Sequence, residues 1–178
     1  MINVIDTNIK DVKLIEPQIH RDTRGYFFES YVQEEFYKKI GPINFIQDNE
    51  SKSSYGVLRG LHFQKKPYEQ AKLVRVIKGE ILDVAVDIRT NSPTFKQHFS
   101  IILNDSNNLQ LFVPKGFAHG FVVLSQEAII SYKVDQIYHP KSDSGYKYDD
   151  PQFDIDWTIE KEDIILSKKD NKLPLINE

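Results

Sequence analysis

Short apolar runs rich in valine, isoleucine, phenylalanine and tyrosine recur along this chain, with turn-forming residues between them. Runs of this length and composition are typical of β-strands, and their close spacing is typical of antiparallel sandwiches and barrels. The predicted strands lie near Val12–Ile15, Gly25–Tyr31, Phe45–Asp48, Val57–Gln64, Lys72–Ile77, Ile81–Ile88, Gln97–Leu103, Leu109–Val113, His119–Val123 and Ala128–Val134. The sequence therefore predicts an all-β fold.

The segments between and after these runs carry separate signals. Lys78-Gly79 predicts a tight hairpin in which glycine supplies a positive φ. Val32–Ile40 has the spacing of a short helix, which ends before Gly41-Pro42. From Ile159 onward the chain is more charged, and we expect it to wrap the surface with short helical turns.

Composition limits the classes of protein to consider. A chain of 178 residues, 40% of them hydrophobic, can bury one core, so we expect a single domain over residues 1–178. The net charge of -3 gives no overall basic field for nucleic acid. No signal peptide or membrane-spanning run is expected, and the absence of cysteine excludes disulfides and thiolate chemistry. These features predict a cytoplasmic protein that binds neither nucleic acid nor membrane.

The segment from Leu58 to Lys72 combines apolar, strand-like residues with groups that carry chemistry. It holds Arg59, His62 and Lys72, which are two fixed cations and a potential base. A buried cation is unfavourable unless a negative group lies beside it. The segment therefore predicts either internal ion pairs or a pocket for a negatively charged ligand.

Single polar residues on the other strands leave alternatives open. Asp83 and Asp87 share one strand face, opposite Leu82, Val84 and Val86, and this face is compatible with a solvated surface as well as with an interior site. Other single residues are equally ambiguous: His119 alone is compatible with a structural role and Tyr132 with a core or interface position.

A metal site is disfavoured by the spacing of the histidines. A β-barrel metal site needs several nitrogen and oxygen ligands that converge, usually including two histidines one residue apart on a strand. No two of the five histidines have that spacing, and His62 is followed by Phe63-Gln64. We therefore expect no metal and no other cofactor, and proton-transfer chemistry in their place.

Many segments, in order, resemble one family over nearly the whole chain. They are Asp22–Glu29, Gln47–Ser51, Gly56–Gln64, Lys72–Val76, Asp83–Arg89, Ser92–Thr94, Pro114–Phe121, Tyr132-Lys133, Asp149–Pro151 and Ser167–Asp170. This series resembles the dTDP-4-dehydrorhamnose 3,5-epimerases. The chain departs from the family pattern at Asp143, where glutamate is usual, at Tyr148-Asp149, where Trp-Asn is frequent, and at Lys96, where glycine is frequent.

The resemblance implies a cupin-type jelly roll with a few short helices and no metal. It also implies a homodimer with exchanged N-terminal strands, and a dTDP-linked 4-keto-6-deoxyhexose as substrate in rhamnose synthesis. His62 would be the general base, Asp170 would orient it, Lys72 would stabilise the enolate oxygen and Tyr132 would return a proton from the opposite face. The implied substrate-binding residues are Arg24, Phe27, Glu29, Gln47, Asn49, Arg59, His119, Tyr138, Asp143 and Lys169.

Two other functions stay open on the sequence. One is an epimerase acting at a single carbon, or a ketoisomerase, on a related nucleotide sugar. The other is a non-catalytic jelly roll that binds a sugar nucleotide, although such a protein has no need of both a base and an opposed acid. The shape of the pocket distinguishes these functions, and sequence does not show it.

Overall fold

The structure is a computed structural model that describes residues 1–176, and β-strands dominate it. The strands are β1 Ile2–Asp6, β2 Lys13–Pro17, β3 His20–Asp22, β4 Gly25–Phe27, β5 Gln47–Ser54, β6 Leu58–Gln64, β7 Lys72–Lys78, β8 Glu80–Asp87, β9 His98–Asn104, β10 Gln110–Val113, β11 Phe117–Val123, β12 Glu127–Val134 and β13 Asp143–Gly145. One helix, α1, spans Gln33–Lys39, and 3-10 turns span Lys161–Asp163 and Asp170–Lys172. The all-β prediction, the helix and the helical turns of the tail are confirmed.

Two antiparallel sheets face each other and form a jelly roll. The first has the strand order β1-β2-β10-β7-β12-β5 and the second the order β13-β6-β11-β8-β9. Alternate residues of both sheets, such as Val74 and Ile130 from the first and Ile81 and Ala85 from the second, share one core between them. The fold therefore places alternate residues of β5, β7 and β12 opposite those of β6, β8 and β11.

The outer face of the second sheet is covered by the C-terminal part of the chain. Leu82 and Val84 pack there with Phe153, Trp157 and Ile176. Strand β8 is consequently buried on both faces, which explains why its sequence is a nearly continuous apolar run. The tail wraps the sheet as expected, and it also supplies a second apolar layer.

The hairpin predicted at Lys78-Gly79 is wrong. Gly79 has the expected positive φ of 83°, but β7 and β8 lie in different sheets and do not pair with each other. A Cβ on Gly79 would lie 2.1 Å from the carbonyl oxygen of Glu127. Glycine therefore makes a sharp corner that carries the chain from one sheet to the other.

The solvated alternative for Asp83 and Asp87 is also wrong, because both side chains are buried between the sheets. Asp87 accepts hydrogen bonds from Arg89, Ser92 and Thr94. Burial acts to raise the pKa of Asp87, but these bonds outweigh it and lower the pKa to about 2. Asp87 is thus an ionised structural carboxylate at the base of the sandwich.

Several strand boundaries differ from the predictions, mainly where strands are polar. The run predicted near Phe45–Asp48 is the eight-residue strand β5, and the run from Gly25 to Tyr31 is a strand only to Phe27. Strands β1, β3 and β13 were not predicted. Strand β5 contains no apolar run, because one of its faces is exposed and the other carries polar residues towards the space between the sheets.

Candidate active site

A cavity of about 460 Å³ lies between the two sheets, closed on one side by the C-terminal tail. Its lining combines charged and apolar side chains from both sheets and the tail. The lining residues are Ser51, Val57, Leu58, Arg59, His62, Lys72, Val74, His119, Phe121, Ile130, Tyr132, Ile165, Leu166, Ser167, Lys169 and Asp170. All four residues with implied catalytic roles are among them.

A change of register in β6 brings both Arg59 and His62 to the cavity. Arg59 and His62 are three residues apart on β6, whereas their partners on β11, Phe121 and His119, are only two residues apart. The extra residue lets two side chains three positions apart face the same side, which a regular strand does not allow. Gly60 makes this possible, since a Cβ there would lie 2.5 Å from the Cα of Gly120.

His62 and Asp170 form a hydrogen-bonded pair at the cavity wall. Nε2 of His62 lies 2.6 Å from Oδ1 of Asp170, and the Asp170 side chain is only 3% exposed. Burial acts to raise the pKa of Asp170, but the bond and the charge of His62, with a bond from Ser167, hold that pKa below its usual range. An ionised carboxylate only accepts hydrogen bonds, so Nε2 carries the proton and Nδ1 is the basic nitrogen of the neutral ring.

A second histidine–aspartate pair lies beside the first. His119 is directly opposite His62 in the β11–β6 register, and its Nε2 lies 2.7 Å from Oδ1 of Asp83. Burial lowers the pKa of His119, and the charges of Lys72 and His62 also lower it. Asp83 acts to raise this pKa but does not outweigh them. His119 is therefore neutral at neutral pH and donates to Asp83.

Sequence reasoning missed Asp83 as part of the site. A signal was available, because Asp83 alternates with Ile81 and Ala85 on one face of β8 and the opposite face is equally apolar. Neither face of such a strand is suited to solvent, so its aspartates had to be interior.

Lys72 and Tyr132 face His62 from the other sheet. Lys72 lies on β7 and Tyr132 on β12, and both side chains are half-buried. Burial lowers the pKa of Lys72 to about 8, although Asp83 and Asp143 act to raise it. Burial also raises the pKa of Tyr132, with Arg59 acting in the opposite direction. At neutral pH the lysine is therefore an ammonium and the tyrosine keeps its proton.

Two cations at the cavity differ in how far they are already neutralised. Among the described residues Arg59 has no carboxylate partner: its Nε donates to Ser53 Oγ at 3.1 Å and its NH2 group to the Lys52 carbonyl at 3.4 Å. Lys169, in contrast, contacts Asp143. Arg59 therefore has its charge available for an anionic ligand, while an anion at Lys169 competes with Asp143.

Asp143 accepts hydrogen bonds from both Tyr138 and Lys169. The Tyr138 hydroxyl donates to Asp143 Oδ2 at 2.9 Å. Burial acts to raise the pKa of Asp143, but the bonds from Lys169 and Tyr138 outweigh it and lower the pKa. Aspartate is thus long enough at this position to reach both partners, despite being one methylene shorter than glutamate.

The remaining expected binding residues lie in two places. Gln47 and Asn49 are on the same face of β5 as Ser51, and they bond to each other at 2.7 Å. Arg24, Phe27 and Glu29 do not line this cavity. Phe27 is 67% exposed, on a β3–β4 hairpin that pairs only with itself. The chain's own fold therefore does not bring these three residues to the site.

The described residues contain neither a cluster of metal ligands nor a membrane-spanning helix. Within residues 1–176 no three His, Asp or Glu side chains converge in a way that could hold a metal ion. In the same residues no helix is long and apolar enough to cross a membrane.

Known proteins resemble this chain along nearly its full length. The family model described as dTDP-4-dehydrorhamnose 3,5-epimerase matches residues 6–178. The dTDP-4-dehydrorhamnose 3,5-epimerase of Methanothermobacter thermautotrophicus is 50% identical over 168 residues, 93% of this chain and 90% of the relative. That of Escherichia coli is 48% identical over 178 residues, covering 99% and 96%. The crystal structure of a Legionella pneumophila dTDP-6-deoxy-D-glucose-3,5-epimerase in complex with dTDP-4-keto-L-rhamnose superposes with a TM-score of 0.96 at 47% identity, covering 99% of this chain and 94% of that one.

Proposed function

This chain belongs to the dTDP-4-dehydrorhamnose 3,5-epimerase family, and from that premise we propose that its cavity inverts C3 and C5 of dTDP-4-keto-6-deoxy-D-glucose. The product is dTDP-4-keto-L-rhamnose, the compound bound in the Legionella relative. The observation that carries the proposal is that His62, the proposed base, and Tyr132, the proposed acid, line one cavity from opposite sheets. Inversion requires such an arrangement, because the proton leaves one face of the carbon and returns to the other.

The C4 ketone makes the reaction accessible to a weak base. Loss of hydrogen from C3 or C5 gives an enolate whose charge is delocalised onto the C4 oxygen. Nδ1 of His62 takes this proton, and Asp170 stabilises the imidazolium that forms.

Lys72 and Tyr132 complete the proton transfer from the facing sheet. The ammonium of Lys72 donates to the C4 oxygen as negative charge develops there. Tyr132 then gives its proton to the carbon from the face opposite His62. The His62 side chain is 30% exposed, so it releases its extra proton to solvent while the Tyr132 phenolate takes one up, and the site is reset for the second carbon.

The nucleotide end binds where the structure provides positive charge and polar groups. Arg59 pairs with the diphosphate, and Lys169 does so in competition with Asp143. The polar side chains of Gln47, Asn49, His119 and Tyr138 complete the binding of nucleotide and sugar. A single jelly-roll epimerase domain over residues 1–178 and a cytoplasmic location form part of this proposal.

Deuterium incorporation tests the reaction directly. The protein is mixed with dTDP-4-keto-6-deoxy-D-glucose in deuterated water, and the deuterons at C3 and C5 are counted by NMR. Each inverted carbon receives a proton from a solvent-exchanged tyrosine, so one deuteron at each of the two carbons is expected. One carbon labelled would indicate a single-carbon epimerase, and none would indicate a protein that only binds the nucleotide sugar.

We further propose a homodimer in which the N-terminal strands are exchanged. The support is the exposed β3–β4 hairpin, whose Tyr26 and Phe27 are 52% and 67% exposed, and the absence of Arg24 and Glu29 from the lining of their own cavity. In the dimer these residues reach the partner's site.

Mixing two inactive variants tests the shared site. Glu29→Ala and His62→Asn homodimers each lack one group in both sites, whereas a mixed dimer has one intact site. Equal amounts, mixed at random, should recover about one quarter of native activity, since half of the dimers are mixed and each has one working site. No recovery, with subunit mixing shown independently by mass-tagged chains, would contradict strand exchange.

A further inference from the structure

Lys72 carries its charge in a place where charge is unfavourable. It is half-buried between the sheets, and burial lowers its pKa to about 8. Among residues 1–176 no carboxylate forms an ion pair with its ammonium, so its donors are free. Something other than direct contact must keep this group protonated.

The titratable and charged groups around Lys72 come from both sheets and from the C-terminal tail. They are Arg59 and His62 on β6, Asp83 on β8, His119 on β11, Tyr132 on β12, Asp143 on β13, and Lys169 and Asp170 in the tail. Only the three aspartates are anions that can favour the ammonium.

Those three aspartates are not equally available to Lys72. Asp170 is bonded to His62, and Asp143 to the cation Lys169. Asp83 bonds only to a neutral histidine, and its second oxygen, Oδ2, is buried without a hydrogen-bond partner among the described residues. Asp83 is therefore the carboxylate whose charge is least compensated.

We propose that Asp83 is a positioning residue that keeps Lys72 in its ammonium form while leaving the donors of Lys72 free for the C4 oxygen of the substrate. This role rests on the proposed function, in which Lys72 stabilises the enolate. Asp83 acts on Lys72 through its charge, and the hydrogen bond from His119, which lines the cavity, fixes the carboxylate in place. A direct ion pair would occupy the donors that the enolate requires.

The Asp83→Asn variant isolates the charge. The amide oxygen still accepts the hydrogen bond from His119 Nε2, but the negative charge is gone. Without it the ammonium is less favoured, so the pKa of Lys72 should fall by about one unit or more from its value of about 8. The basic limb of the kcat profile should move to lower pH by the same amount, and kcat at pH 8 should fall about fivefold or more.

Two measurements read this change. Lysine labelled with ¹³C at Cε reports the titration of Lys72 without substrate, with its signal identified by its loss in Lys72→Met. The pH profile of kcat reports the same group during turnover. An unchanged Lys72 titration in Asp83→Asn would overturn the proposal, whatever happens to the rate.

Asp143→Asn is the matched comparison, because it removes another carboxylate that acts on Lys72 but whose charge Lys169 already compensates. It should shift the Lys72 titration less than Asp83→Asn does. An equal shift would mean that the field is diffuse and that Asp83 has no special role.

A stability measurement keeps the test valid if Asp83→Asn does not fold. Lys72→Met leaves Asp83 without its counter-charge, so adding Asp83→Asn to that variant should raise Tm. A further fall in Tm would overturn the proposal. Failure of the proposed function would look different: the wild-type protein would incorporate no deuterium, while the lysine titration would still report on Asp83.

Discussion

His62→Asn should abolish hydrogen exchange at both C3 and C5 while leaving the fold intact. Asp170 keeps its hydrogen bonds from Ser167 and from the backbone of Gly60, so the buried carboxylate still has partners. The asparagine side chain has no basic nitrogen, however, and neither C–H bond can be broken. Deuterium exchange followed by NMR should fall by about 10²- to 10⁴-fold, the range for loss of a positioned base.

His98→Asn is the matched control for this variant. His98 lies on β9, outside the cavity lining, and bonds through Nδ1 to the carbonyl oxygen of Phe153 at 2.9 Å. The control should exchange and invert at the native rate. Near-native exchange in His62→Asn would show that another group is the base and would remove the proposed mechanism.

Tyr132→Phe should separate exchange from inversion. The ring and its packing remain, but the proton that the hydroxyl delivers is lost. His62, Asp170 and Lys72 still form the enolate, so reprotonation returns from His62 to the original face. Exchange should therefore continue in deuterated water, while the inverted product falls by about 10²-fold or more, the usual scale for loss of a positioned acid.

Tyr37→Phe removes a hydroxyl from an exposed tyrosine on α1 and serves as the control. It should leave both rates unchanged. If Tyr132→Phe lost exchange and inversion equally, the tyrosine would act in binding or in enolate formation. If inversion were unchanged, Tyr132 would have no part in proton transfer.

Arg59 also bears on this step. Burial raises the pKa of Tyr132, and the charge of Arg59 acts to lower it. Loss of the Tyr132 proton is therefore favoured by the same side chain that we propose binds the diphosphate.

The local pattern of the sequence determined the strands, the helix and the residues that enter the cavity. Alternation and turn residues depend on neighbours along the chain, so β6, β7 and β12 could be located, and the ordered motifs pointed to His62 and Tyr132. Alternation does not show which sheet covers a given face of a strand. For this reason the length of the polar strand β5 was underestimated, and the corner at Gly79 was mistaken for a hairpin.

Only the tertiary structure decided how the charged groups are paired. The extra residue in β6 that turns Arg59 towards the cavity depends on the close approach of Gly60 to Gly120. Likewise Asp143 reaches Lys169 and Asp83 reaches His119 across distances of 26 and 36 residues in the chain. Electrostatic interactions depend on distance in space and on burial, and neither is encoded in local periodicity. The sequence by itself therefore supplied the proposed acid, the proposed base and the cations, and folding determined which of the charges are neutralised and which remain for a ligand.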